Sequence, residues 1–564
     1  MNPQSPILDQ PQIIEWAEHA PHFTQQLANG EIVFAVDENT DLRDLFWPWA
    51  GEHYAKRIAL RVSAPREEDL MPLVTRLYPG HQELIMGTEG VILTKRVAAP
   101  RGSDYDRSVI WLLDCQAEGD RLLRLDVEVD WGEPLTQRIV DGLLVAQRNP
   151  GPLRGIYNQS NAELTCVFGN PQARPDHVDL ASDQHAHLVY HVLVNGMVEV
   201  PLMLAVSDVG EQMAWNGFLA LRDADRAFEL SSKAWEQLLK TGRLWTPDPA
   251  LNQAVQAGKL AAARHVQRVR TGFAATHQST VNSAALVGCT DCFDVTLSRN
   301  LLAHLRRVAE ATLGRLPEIL PLRPKEEALD PGTALALTNG AYLEALANHL
   351  HHHFDQALLA EHYAAVGLCT EQLYRQAQQA TTTGALPAAT VQALVHAGQL
   401  AQWQHDTLNT TRWQAAVATA RAEQNPPWPA PTLARPTTAP WHFPDLWQGI
   451  QWTGRTLWQG CGLHWQDDRL WVTPTWPATW EWWALLELPY IDERRLSLVW
   501  DGQTLHSTQP IQSVLPVQQW DSIRPRRTDE LEFDLHFELQ SESDGLVTHN
   551  TIHPAFFKPD SFDL

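Results

Sequence analysis

The chain has 564 residues, 44% hydrophobic and 20% charged, a balance that fits an ordinary globular protein of about three to four domains and excludes disordered or fibrous classes. Its formal charge of −24, from 43 Lys+Arg against 67 Asp+Glu, argues against nucleic acid and against an anionic membrane surface. A neutral ligand is indifferent to that charge. No run of about 18 apolar residues reads as a membrane span. Met1-Asn2-Pro3-Gln4-Ser5-Pro6 lacks the basic and apolar regions of a signal peptide. Six scattered cysteines (Cys115, Cys166, Cys289, Cys292, Cys369, Cys461) do not make a disulfide scaffold, so a reducing cytoplasm is the expected location.

In chain order, residues from about 27 to 230 read mainly as strands. Glu31–Val36 is β-branched and aromatic and follows the turn pair Asn29-Gly30. Arg57–Val62 alternates charged and apolar side chains, as a half-buried strand requires. Similar runs at Val109–Leu113, Leu122–Val129, Arg138–Val145 and His187–Val194, separated by turn residues, predict a large double-layer β domain.

The period changes near residue 247. Asp248-Pro249 is a good helix start, an oxygen-bearing cap followed by Pro at the first helical position. Leu251, Ala254, Val255, Gly258, Ala262, Val266 and Val269 then follow helical spacing. Further helices are predicted at about 295–312, 332–352, 356–379, 388–405 and 408–423, and short loops imply antiparallel hairpins. Asn425–Pro444 is Pro-rich and reads as a linker. Beyond it the pattern is strand-like to the end, with Asp501-Gly502 as a hairpin signal. The expected domains are 1–240 (β), 241–424 (helical), a linker at 425–440, and 441–564 (β).

That order, with Leu27–Asp37, Leu42–Pro48, Gly51-Glu52-His53, the helix start Trp245–Leu251 and the segment Gly288–Phe293, resembles the six-hairpin glycosidases, in particular the glucoamylase, glucodextranase and debranching-enzyme-like group. The resemblance implies a β + α + β multidomain fold: an N-terminal β supersandwich, a partial α/α-hairpin, toroid-like helical domain, and a C-terminal Trp-rich β-sandwich. It implies α-glucans or oligosaccharides as the ligand class. It also implies substrate-binding roles for Asp291, with Asp294 three residues on, and for Trp47. The usual Arg neighbour of the first is replaced by Thr290. The competing reading of Asp291 is a cap for a helix beginning near Phe293.

Inverting hydrolysis needs a protonated carboxyl and an ionised one about 6.5–9.5 Å apart. The resemblance places the acid in a loop matching Gln376–Gly384, yet Gln372 to His405 contains no Asp or Glu, and the later hairpins that carry the base are missing. Glu371 is a candidate relocated acid, and a solvated helix face is its plainer reading. Cys289 and Cys292 form one C-x-x-C without a second pair, which reads as structural thiols. His349, His351, His352 and His353 crowd a helix end, where protonated His suits the dipole, and adjacent positions point in different directions. No metal and no other cofactor is expected.

Ten of the 23 Trp lie between Trp441 and Trp483. An indole can stack on a pyranose face, and it can equally fill a β core. Three functions remain in view: a glycoside hydrolase with relocated carboxylates, a non-catalytic glycan- or protein-binding derivative, and a structural protein. An incomplete helical ring also leaves an edge that a second copy of the chain could close.

Overall fold

The computed structural model describes residues 14–17, 24–48, 52–64, 70–101, 107–150, 164–321, 334–353, 355–380, 387–423, 446–466, 469–490, 494–527, 535–543 and 546–552. The chain divides into two compact units, Met1–Gln237 with Gln267–Arg270, and Leu238–Val266 with Thr271–Leu564. An N-terminal antiparallel β-sandwich is followed by a helical middle region and a C-terminal β-rich region, the coarse order that the sequence implied.

The first unit is organised by two 23-residue strands, Ser108–Asp130 and His185–Ser207, paired antiparallel with a register shift between Val194 and Gly196. The first half of Ser108–Asp130 also pairs with Val91–Ala98, and its second half with Glu52–Ser63, so a single strand serves both parts of the sandwich. Its side chains alternate as the two-residue period demands. Val109, Trp111 and Leu113 enter the main core with Trp47, Tyr54 and Phe168. Ile110 and Leu112 face the other way, against two helices, α1 (Glu211–Ala220) and α2 (Ala224–Lys240). Those helices correct the reading of this region as mainly strands to about 230. Trp215, Phe218 and Phe228 on them cover a second sheet face that would otherwise be exposed.

The second unit carries eight helices among the described residues: α3 (Pro249–His265), α4 (Thr280–Thr290), α5 (Val295–Ala311), α6 (Leu335–His353), α7 (Gln356–Ala380), α8 (Ala388–Trp403), α9 (Thr407–Glu423) and α10 (Leu446–Cys461). Asp248 caps α3 as the sequence implied, its side chain accepting from the N–H groups of Ala250 and Leu251 at 3.1 and 3.2 Å, with Pro249 in the first turn. Helices α5 to α9 lie close to the five predicted spans.

Three features differ from expectation. Gln376–Ala380 continues α7 as helix, so the expected loop does not begin at Gln376. Helix α4 was not foreseen. Helix α10 stands where a β domain was expected to begin; its Ile450, Thr453, Leu457, Trp458 and Cys461 follow the helical period, but Gly449, Gly454 and Gly460 read as breakers. The expected linker at 425–440, and Trp441, lie outside the described residues.

After α10 come a five-stranded sheet, in which Arg243–Trp245 pairs with Trp483–Pro489, and two three-stranded sheets. The Asp501-Gly502 turn forms as the sequence indicated. Gly502 adopts φ +89, and Asp501 Oδ1 accepts from the N–H groups of Gln503 and Thr504 at 2.9 and 2.7 Å. The tryptophans mostly fill the core. Trp458 and Trp483 are buried with Leu457, Leu485 and Leu498, and Trp452, Trp465 and Trp476 pack partly buried around them.

Candidate functional site

Helices α4, α6 and α10 meet around a small cavity of about 80 Å³. Each contributes one stripe at helical spacing: Val281, Ala284, Ala285 and Gly288 from α4, Ala341, Glu344, Ala345 and Asn348 from α6, and Gln451, Gly454, Arg455 and Trp458 from α10. The hollow exists because the crossing is built from small residues. A Cβ on Gly454 would stand 2.5 Å from the carbonyl oxygen of Gly288, so glycine lets α10 lie directly on α4. Since one water needs roughly 10–15 Å³ by this measure, the space holds about one sugar ring rather than an extended chain.

Its wall is amphipathic. Trp458 and His352 stack face to face, ring centroids 3.9 Å apart and planes 4° from parallel. Trp465 Nε1 donates to the His352 carbonyl oxygen at 3.0 Å and fixes the end of α6. Glu344 is the carboxylate of the wall, and no other Asp or Glu lines it among the described residues. It is tied to Arg455 at 3.1 Å. Glu371, considered as a relocated acid, is held by Arg375 at 3.3 Å and Arg412 at 2.9 Å.

Behind the His352 ring lies Asp291, fully buried. It sits just past the last residue of α4 with helical φ/ψ, its N–H bonded to the Val287 carbonyl oxygen at 2.9 Å. The helix cap is instead Asp294, which is exposed and accepts from the N–H of Leu297 at 3.0 Å. The two acids therefore take different environments, and the capping reading of Asp291 is corrected to Asp294. Turn residues between two helices, rather than a helix start, put the Asp291 carboxylate indoors.

Three histidines of α6 surround that carboxylate. His349 Nδ1 is 2.7 Å from Asp291 Oδ1, His353 Nε2 is 3.7 Å from the same oxygen, and His352 Nδ1 is 3.7 Å from Oδ2. Burial alone would raise the Asp291 carboxyl, but His349, by charge and hydrogen bond, with His352 and His353 beside it, holds it well below the usual carboxylate range. Burial lowers His352, and it pushes His353 down to about 3. The sequence carried one signal of this arrangement: His349 and His353 are four residues apart and share a helix face. Their partner lies 58 residues away and was not identified by spacing.

Trp47 stands elsewhere, fully buried in the core of the first unit, with its indole N–H directed at Glu31 Oε2 at 3.4 Å. It presents no face to solvent. The thiols of Cys289 and Cys292 are buried and pushed up by burial, Cys289 to about 12 and Cys292 well above the ordinary thiol value. All six cysteines are buried and unpaired. A broader hollow of about 500 Å³ on the first unit is lined by Glu128, Asp130, Asp179 and His187. There Asp130 lies 4.0 Å from Lys56 and Glu128 lies 3.9 Å from Arg61. Among the described residues no helix is long and apolar enough to cross a membrane.

No family model matches the chain, and no curated protein matches it. Solved structures do. A protein from the human microbiome described as a kojibiose phosphorylase aligns over 94% of this chain and 96% of its own, with TM-score 0.51 and 9% identity. A bacterial glucoamylase complexed with acarbose aligns over 73% and 70%, with TM-score 0.45 and 11% identity. A family 92 α-mannosidase from Bacteroides thetaiotaomicron aligns over 70% and 61%, with TM-score 0.39 and 9% identity. The alignment with the first spans nearly the whole of both chains, so this chain shares the fold of that structure.

Proposed function

We propose that this chain is a carbohydrate-binding protein of glycosidase fold that holds one small neutral sugar between α4, α6 and α10 and does not hydrolyse it. The observation that carries this reading is the carboxylate inventory of the cavity. Hydrolysis with inversion needs two carboxyl groups about 6.5–9.5 Å apart, and with retention about 5–5.5 Å apart. Among the described residues this cavity has Glu344 alone, already paired with Arg455. Asp291 offers no second group, because it is enclosed and occupied by histidines. The Trp458–His352 pair and the amides of Asn348 and Gln451 supply an apolar wall and hydrogen-bonding groups of the kind that ring faces and hydroxyls use. Calorimetric titration with a panel of mono- and oligosaccharides tests this. Binding should be lost in Ala285→Leu, which fills the cavity from α4. Binding that survives Ala285→Leu would place the sugar elsewhere.

A second reading is favoured by Arg455 beside Glu344 and by the phosphorylase description of the structure with the same fold. Phosphorolysis needs one carboxylic acid, because phosphate itself attacks the sugar, and a guanidinium is the natural phosphate partner. Sugar phosphate produced only when inorganic phosphate is present, and lost in Glu344→Gln, would establish it over simple binding.

A further inference from the structure

We propose that Asp291, His349 and His353 form a buried site for a divalent first-row transition metal, with Zn²⁺ as its simplest occupant. One potential ligand atom from each of the three lies within 4.8 Å of the others, and all three residues are buried. The two histidines come from one face of α6, four residues apart, and the carboxylate comes from the turn after α4.

Zinc bonds of about 2.0–2.1 Å in a tetrahedral site set ligand atoms about 3.3 Å apart. The separations from Asp291 Oδ1, 2.7 Å to His349 Nδ1 and 3.7 Å to His353 Nε2, lie on either side of that value. The third separation, between the two histidines, is within 4.8 Å, so the rings close on an ion to seat it.

The second observation is the set of unsatisfied atoms. Asp291 Oδ2, His349 Nε2, His352 Nδ1 and His353 Nε2 are all buried without a hydrogen-bond partner. Such groups are costly to bury unpaired, and one carboxylate oxygen left unpaired together with one nitrogen on each of its three histidine partners points to a ligand. Among the described residues no Lys or Arg pairs with Asp291 through its oxygens; its ion-pair partners there are histidines. Imidazole nitrogens suit zinc, copper, iron and nickel, whereas calcium and magnesium require oxygen donors. His352, with Nδ1 facing Oδ2 and its ring stacked on Trp458, orients the carboxylate from outside the ligand set. Enclosure makes the role structural: the ion joins the end of α4 to the end of α6, next to the cavity and without reaching it.

The test uses the full chain without an affinity tag, stripped with chelator and titrated with Zn²⁺ and with Co²⁺. The expected result is one ion per chain, a visible Co²⁺ spectrum, and at least tenfold weaker Zn²⁺ binding in His353→Gln and in Asp291→Asn. Thermal melting of the unsubstituted chain should rise with Zn²⁺ and should not change with Mg²⁺. No stoichiometric Co²⁺ or Zn²⁺ binding by the unsubstituted chain would overturn the site, whatever the variants do. Binding undiminished in a folded His353→Gln would overturn it equally, assigning the ion to surface histidines. Neither result depends on whether the cavity takes a sugar.

Discussion

The two units bury carboxylates in different company. In the first, Glu31, Asp37, Asp41 and Glu211 are each at most 7% exposed, and each is paired with an arginine: Arg268 at 2.9 Å, Arg43 at 2.9 Å, Arg57 at 2.6 Å and Arg138 at 2.6 Å. In the second, Asp291 is fully buried among histidines. A guanidinium stays charged at every ordinary pH and can only donate, so those pairs act as fixed fastenings of the sandwich. Imidazole can be charged or neutral and can donate or accept, so the histidine set leaves lone pairs free. The first environment is built for stability, and the second is built to take something up.

The largest effect should come from breaking one of the arginine pairs. Among the described residues, Arg138→Met leaves buried Glu211 with the Trp215 indole N–H, 3.1 Å away, as its remaining side-chain partner. A loss of about 3–5 kcal/mol is expected, because an unpaired buried charge remains. Hydrogen exchange resolved by segment should show the loss around α1 and Leu143–Arg148; a change below about 1 kcal/mol would remove the contrast just drawn.

Next in size is Gly454→Ala. Its methyl group meets the Gly288 backbone, which cannot give way as a flexible side chain would. About 1–3 kcal/mol of overpacking strain is expected, with loss of sugar binding and no change in hydrogen exchange in the first unit. Unaltered binding would separate the cavity from the crossing that forms it.

Acid should load both units, the first through His81, which burial pushes down to about 3, and the second through several buried rings. His265 and His304 in the second unit are pushed down to about 4, chiefly by burial. Between about pH 4 and 6.5 the unfolded chain binds protons there that the folded chain does not. Stability contributed by the neutral rings is thus present above pH 6.5 and lost as pH falls toward 4, at up to about 1.4 kcal/mol per pH unit for each histidine. Replacing His304 by Gln should flatten that slope in urea melts followed from pH 7 to 4. An unchanged slope would assign the acid sensitivity to other groups.

Smallest is Glu344→Gln. Both partners of its ion pair with Arg455 are more than a third exposed, so stability should move by no more than about 0.5 kcal/mol. Sugar affinity is where the substitution should register, read by calorimetry against the unaltered melt.

Much of this architecture was legible from local periodicity. Helices α5 to α9, the Asp248 cap and the Asp501-Gly502 turn depend on residues within one or two turns of each other, and these matched. Helix α10 was missed because three glycines and a dense run of tryptophans masked its period, although close packing against α4 is what requires one of those glycines. The site was harder. His349 and His353 share a face by spacing alone, but Asp291 joins them only through the packing of α4 and α6, and adjacent histidines were read singly instead of four apart. Trp47 shows the converse error: an aromatic residue in a motif-like stretch turned out to be core, and only burial could tell.

The most direct test of the central claim is one ¹H NMR time course of the chain with α-linked oligosaccharides and inorganic phosphate, recording saturation transfer to the sugar and the anomeric region together. Binding without turnover predicts transfer to sugar protons, abolished in Ala285→Leu, and an anomeric region that does not change. New anomeric resonances that vanish in Glu344→Gln would contradict it and make this chain an enzyme. Absence of any transfer would contradict the binding itself.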